Sequence, residues 1–251
     1  PSNHRYDTAD YARIDPMLGT EEDFASLVDA LHENGMRVML DGVYNHASWQ
    51  HPFWQDVLKN GEKSAYFDWF CGVSMEALRG RTSEELTADV MRGEKPFESF
   101  AFAADMPKWN TENPAVQDHL IGTAAEWTRK YGIDAWRLDV PDEVSFRFLE
   151  YFKKRIREAN SEAYIIGEIW QKSTAWLRAG VFDGAMDYPL YFAIRDFAMK
   201  RADGVETFAE RIKDVFLSVP DCVRPRQFTF CGNHDIPRPL TVCGGDTDRL
   251  A

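Results

Sequence analysis

The chain is short of cysteine, of positive charge and of long apolar runs. Its 251 residues hold four cysteines, at 71, 222, 231 and 243. No two stand in a Cys-x-x-Cys pair, which argues against a structural zinc site and for free thiols, and so for a cytoplasmic setting. Lys and Arg number 29 against 41 Asp and Glu, a net charge of −12. Nucleic acid and anionic membrane surfaces are therefore poor partners, because neutralising phosphate needs a basic face. No apolar run reaches the ~18 residues of a membrane span. There is no internal repeat and no low-complexity linker. The chain opens Pro-Ser-Asn-His, without an initiating Met or a signal-peptide pattern, as expected of a piece cut from a longer polypeptide. What is present is ample for a core: 44% of the residues are hydrophobic and 14% are aromatic.

Strand and helix signals alternate. Residues 20–34 read as a helix, with Thr20 as cap, Asp23 three residues on, and Phe24, Leu27, Val28 and Leu31 at helical spacing before Gly35. The run 36–44 (MRVMLDGVY) reads as a strand buried on both faces. Residues 114–131 form a second helix, capped by Asn113, opened by Pro114 and closed by Gly132. Further strands are expected at 133–140, 164–169, 182–186 and 227–231, and helices at 144–159, 188–201 and 205–218. This alternation implies parallel βαβ units, and the length suits a (β/α)₈ barrel. Residues 47–105 interrupt the rhythm. They carry Trp49, Trp54, Phe67, Trp69, Phe70 and Phe97 and read as a subdomain inserted after a strand's C-terminal end, so that 1–46 and 106–251 make the barrel.

Polar residues collect at the strand ends: Asp41, Asn45 and His46; Arg137 and Asp139; Glu168; then His234 and Asp235. A charge in an apolar strand is costly unless it is paired or functional. One Asp at a strand end is usually a turn or cap residue, a lone Glu a salt-bridge partner, and a lone His a structural one. Four ordered strand ends together carry more weight. They would aim Asp139, Glu168 and Asp235 at one spot, with Arg137 on the face of Asp139 because residues two apart on a strand share a face.

DGVYNH at 41–46, GIDAWRLDV at 132–140, GEIW at 167–170 and NHD at 233–235 resemble, in order, the four short motifs of the α-amylase family of glycoside hydrolases. MPKWN at 106–110 and the opening HRYDTADYARIDPMLG resemble its neopullulanase, cyclomaltodextrinase and maltogenic amylase branch. The resemblance implies a (β/α)₈ barrel, incomplete in this chain because only five strands are counted. It also implies an α-glucan oligosaccharide or polysaccharide as substrate, and no cofactor for the chemistry. It makes Asp139 the nucleophile, Glu168 the general acid and base, and Asp235 the transition-state stabiliser. Arg137 would orient Asp139, His46 and His234 would bind sugar hydroxyls, and Tyr6 would stack on the sugar with His4 nearby. Asp41 would be a structural carboxylate, and Asn45 matches a residue that binds structural calcium in many relatives. Two positions depart from the branch: Pro141-Asp142-Glu143 where Ala-Asn-Glu is usual, and Gln171 in place of His. Retaining hydrolysis of α-1,4 bonds in maltodextrins, cyclodextrins or pullulan is the activity implied. A transglycosylase or isomerase on the same scaffold is the alternative within the family, and a non-catalytic saccharide-binding module is the alternative outside catalysis. All three carboxylates being present argues against the module. The absence of a His-x-His pair at any strand end argues against a metal-dependent barrel hydrolase.

Overall fold

The computed structural model describes residues 2–250. They fall into two compact units, Pro1–Ala163 and Tyr164–Ala251.

In the first unit, α1 (Glu21–Glu33) begins at the expected capping box. Thr20 Oγ1 accepts the Asp23 N–H at 3.1 Å and the Asp23 carboxylate accepts the Thr20 N–H at 2.8 Å, so two otherwise orphaned donors are satisfied. Strand β1 (Met39–Gly42) runs parallel to β2 (Ala135–Leu138), with Met39 opposite Ala135 and Asp41 opposite Arg137. Both strands are shorter than the apolar runs that hold them. The four residues of β2 are buried. In β1, Met39 and Asp41 are exposed, contrary to the expectation of a strand covered on both faces. The reason is that β1 pairs only with β2 among the described residues and stands at a sheet edge.

Two helices back these strands. Helix α5 (Pro114–Tyr131) starts with Asn113 accepting the Ala115 N–H at 2.9 Å and ends at Gly132, whose φ of 67° is the left-handed conformation that glycine reaches without strain. Helix α6 (Phe146–Ala159) is capped by Ser145 and buries Phe148, Leu149, Phe152 and Ile156. Tyr44, Trp136, Phe148 and Phe152 interlock as rings, with Tyr44 and Phe152 5.5 Å apart.

Residues 47–105 fold around aromatic side chains, with α2 (Pro52–Asn60), α3 (Met75–Leu78) and α4 (Ser83–Met91) as their helices. Trp54 and Phe97 are fully buried and 4.9 Å apart; Phe70 stacks on Trp109 at 4.6 Å. Antiparallel bridges join His46 to Lys108, Phe70 to Trp109 and Ser99 to Pro107.

In the second unit, β3 (Tyr164–Gly167) runs parallel to β4 (Gly184–Ala185). Between them lies α7 (Thr174–Ala179), closed by Gly180. That helix is not among those expected from the sequence. The expected 188–201 helix is two pieces: α8 (Tyr188–Ile194), then a π-helical turn at Arg195–Met199. Asp196 in that turn binds Arg195 and, at 2.9 Å, Arg211 on α9 (Val205–Ser218). The two guanidiniums hold its carboxyl down to about 2.

The strand expected at 227–231 does not form. A single parallel bridge joins Met186 to Phe228. A 3₁₀ turn at Arg224–Arg226 delivers Gln227 with its side chain, not its backbone, against β4: Gln227 Oε1 accepts the Ala185 N–H at 2.7 Å. The ladder resumes at Phe228 alone, whose N–H donates to Ala185 C=O at 3.0 Å and whose C=O accepts the Asp187 N–H at 3.0 Å.

Candidate active site

The register of β1 against β2 places Asp41 beside Arg137. Arg137 Nη1 donates to Asp41 Oδ1 at 2.7 Å, to Asp41 Oδ2 at 2.8 Å and to Asp139 Oδ1 at 2.8 Å. Arg137 and Asp139 are buried, so their charges depend on one another. The Asp139 N–H donates to Gly42 C=O at 3.0 Å, which fixes the backbone from which the carboxylate projects. The next residue, Val140, has φ 43° and ψ 47°. A β-branched side chain in the left-handed region is strained, and such strain gathers where a turn must aim a particular neighbour.

Tyr6 completes this group. Its hydroxyl donates to Asp41 Oδ2 at 3.0 Å and its ring lies 5.8 Å from the Arg137 guanidinium. Burial, followed by the Asp41 charge, pushes its phenol far above the usual range. His4 is exposed, stacks loosely on Tyr6 with 6.3 Å between ring centroids, and accepts the Tyr6 N–H on Nδ1 at 3.0 Å.

His46 has no exposed surface and stacks on Phe100 at 4.7 Å. Its Nε2 lies 2.9 Å from the Tyr6 carbonyl, so Nε2 carries the proton. Nδ1 is then the acceptor, facing Asn45 Nδ2 at 3.4 Å. Burial holds this ring neutral, at about 4. The expectation of a hydroxyl-binding His46 thus meets a ring whose two nitrogens are already engaged, one of them by the backbone of Tyr6.

Those contacts orient Asn45 so that its Oδ1 is buried without a partner among the described residues. One orphaned oxygen is far from the six to eight that calcium takes, and no group of three or more His, Cys, Asp or Glu converges among the described residues.

In the second unit Glu168 follows β3 and is buried. Trp170 Nε1–H donates to Glu168 Oε1 at 3.0 Å, and the Tyr188 hydroxyl reaches the same oxygen at 3.4 Å. Asn233 Nδ2 lies 2.8 Å from the Tyr188 hydroxyl, and Asn233 Oδ1 accepts the Asp235 N–H at 2.9 Å. Asp235 and His234 pair at 3.3 Å, both at least one-third exposed. Tyr188 and Asn233 were missed as site residues. Tyr188 had been absorbed into a helix, and the signal available was its place just after a strand, at the same kind of end that carries the charged residues.

The whole chain, residues 1–251, matches the model of the alpha amylase catalytic domain. Cyclomaltodextrinase of Geobacillus thermopakistaniensis is 42% identical over 250 residues, covering 100% of this chain and 40% of the relative. Maltogenic alpha-amylase of Bacillus acidopullulyticus is 41% identical over 249 residues, covering 99% of this chain and 40% of the relative. A solved cyclomaltodextrinase superposes with a TM-score of 0.91 at 39% identity, over 100% of this chain and 41% of that one. The chain belongs to the alpha-amylase family, and its parallel strands and backing helices are those of the family's (β/α)₈ catalytic domain. It spans about 40% of the length of these relatives. Among the described residues, no helix is long and apolar enough to cross a membrane.

Proposed function

We propose that this chain is catalytic machinery of an enzyme that hydrolyses α-1,4-glucosidic bonds in maltodextrins, cyclodextrins or pullulan with retention of configuration. The observation that carries the reading is the Arg137 bridge: one buried guanidinium bound to Asp41 and Asp139 on consecutive strands, within two family motifs in their proper order. Arg137 holds Asp139 in one orientation, as a nucleophile requires.

Asp139 attacks the anomeric carbon while Glu168 protonates the leaving glycosidic oxygen, giving a covalent glucosyl ester. Glu168, now a carboxylate, takes a proton from water, and the water oxygen displaces Asp139. Two inversions leave the α configuration unchanged. Asp235 stabilises the charge developing on the ring, and His234 and Tyr6 contact the sugar. His46 serves through Tyr6, whose backbone it holds. The segment 47–105 is proposed as an inserted subdomain, and four free thiols favour a cytoplasmic setting.

The test is Asp139→Asn in the intact polypeptide, together with NMR detection of the anomer first released by the unaltered protein. Loss of turnover with maltodextrin binding retained, and an α product before mutarotation, are expected. A β product would mean an inverting enzyme and remove Asp139 from the nucleophile's role.

A further inference from the structure

The hydrogen bonds around Glu168 have a direction, and it is set by a backbone group. The Asp235 N–H can only donate, so Asn233 Oδ1, at 2.9 Å, is its acceptor. That fixes the amide: Nδ2 is the atom facing Tyr188, and it donates to the hydroxyl oxygen at 2.8 Å. With its oxygen receiving, the Tyr188 hydroxyl turns its own proton to Glu168 Oε1, 3.4 Å away. Trp170 Nε1–H points at the same oxygen from 3.0 Å.

The Tyr188 ring cannot drift from this place. It is fully buried, stacked on Trp170 at 4.2 Å with 14° between planes, and met edge-on by Phe230 at 4.9 Å. The link to Glu168 is the longest of the four. Links of this kind are often long before substrate binds and shorten in the complex.

We propose that Tyr188 and Asn233 are positioning residues for the acid and base Glu168. The Asp235 N–H, Asn233 and Tyr188 form a one-way relay that, with Trp170, holds Oε1 as an acceptor and so fixes the orientation of the carboxyl group. The relay adds nothing to substrate binding; it selects the rotamer in which the carboxyl group presents its proton to the leaving oxygen. This inference rests on the assignment of Glu168 made under the proposed function.

The experiment compares two substrates in the intact polypeptide. Maltotriose has a poor leaving group and needs full protonation; 2,4-dinitrophenyl α-maltoside has a good one and needs little. Tyr188→Phe keeps the ring and removes the hydroxyl. It is expected to lower kcat on maltotriose roughly 10–100-fold, part of what acid–base catalysis contributes, and on the activated substrate less than about 3-fold, with KM within about 2-fold on both. Asn233→Asp leaves an acceptor for the Asp235 N–H and none to donate, so the Tyr188 proton turns toward residue 233. It should reproduce the Tyr188→Phe pattern with the ring in place, and the double variant should be no worse than either single one. Equal losses on both substrates, no loss on maltotriose, or additive losses in the double variant would each overturn the proposal. Glu168→Gln separates the two levels. If it lowers maltotriose turnover selectively while Tyr188→Phe does not, only the relay is wrong. If Glu168→Gln shows no leaving-group dependence, the acid–base assignment itself fails.

Discussion

Arg137 Nη1 donates to Asp139 Oδ1 at 2.8 Å, two residues along the same strand end, and both side chains are 8% exposed. A buried charge that loses its partner costs far more than the intact pair contributes, so truncation and conservative replacement should part company here. Arg137→Ala removes the guanidinium bonded to the buried Asp139 and should lower stability by about 3 kcal/mol or more, the range for breaking a buried pair. Arg137→Lys keeps the charge and loses the flat guanidinium that reaches two carboxylates at once. Its stability should fall less than that of the Ala variant, while kcat falls at least ~10-fold because Asp139 is no longer held in one orientation. Urea midpoints and steady-state kinetics on maltotriose read both. Equal stability of the Ala variant and the unaltered protein would mean that the pair is not buried in solution.

How much of this was legible beforehand follows the range of each interaction. Helix α1 was visible because Thr20, Asp23 and Gly35 act within a turn of the helix they bound. Helix α5 was visible for the same reason, in Asn113, Pro114 and Gly132. The strand at 227–231 was misread because QFTFC alternates like a strand, whereas pairing is decided by the preceding 3₁₀ turn and by a Gln side chain that takes over a backbone contact. The π-helical turn after α8 depends on Asp196 meeting Arg211, 15 residues later. In the site, the charged residues announced themselves by standing at strand ends. The relay through Tyr188 and Asn233 did not, because it joins residues 45 apart and its direction comes from a backbone N–H. His46 showed a third case: its motif suggested a ligand, and the fold gives it the Tyr6 backbone to hold.

Acid should weaken the first unit through its buried histidines. His51 caps α2 with Nδ1, which accepts the Phe53 N–H at 3.2 Å, and so needs that nitrogen unprotonated. Its ring packs against Trp109, Tyr11, Phe53 and His119, with Asp10 the acidic group nearby. Burial, reinforced by His119, lowers its pKa from 6.5 to about 4, and burial lowers that of His46 to about 4 as well. The unfolded chain takes up these protons below about 6.5 and the folded chain only below about 4, so stability is full above the first value and declines toward the second. Each histidine contributes a slope of roughly 1.4 kcal/mol per pH unit at most in that window. The carboxylates whose pKa values are lowered, such as Asp7 and Asp134, act at lower pH; His119, also lowered by burial, adds to the decline, and Asp187, raised by burial, opposes it. Urea midpoints at intervals from pH 7 to 4.5 should fall, and less steeply in His51→Asn, whose amide oxygen still caps the helix. A flat profile, or an unchanged slope in the variant, contradicts the assignment.

Two glycine-to-alanine substitutions should move stability in opposite directions. Gly184 lies in β4 where the 3₁₀ turn presses close: a Cβ there would stand 2.0 Å from the Arg226 carbonyl oxygen and 2.5 Å from the Tyr164 hydroxyl. The first obstacle is backbone, and the carbonyl also accepts the Tyr164 hydroxyl, so neither group can yield without breaking the contact between them. Overpacking of this kind costs about 1–3 kcal/mol, and more when backbone must shift. Gly122 is the control. It sits inside α5, with nothing within 4 Å of the added methyl. There alanine removes chain entropy from the unfolded state and improves helix propensity, a gain of roughly 0.5–1 kcal/mol. Gly184→Ala should therefore lower the urea midpoint and Gly122→Ala raise it. If Gly184→Ala kept the unaltered midpoint, the Arg224–Arg226 turn would not be seated against β4. The account of why 227–231 fails to form a strand would then lose its basis.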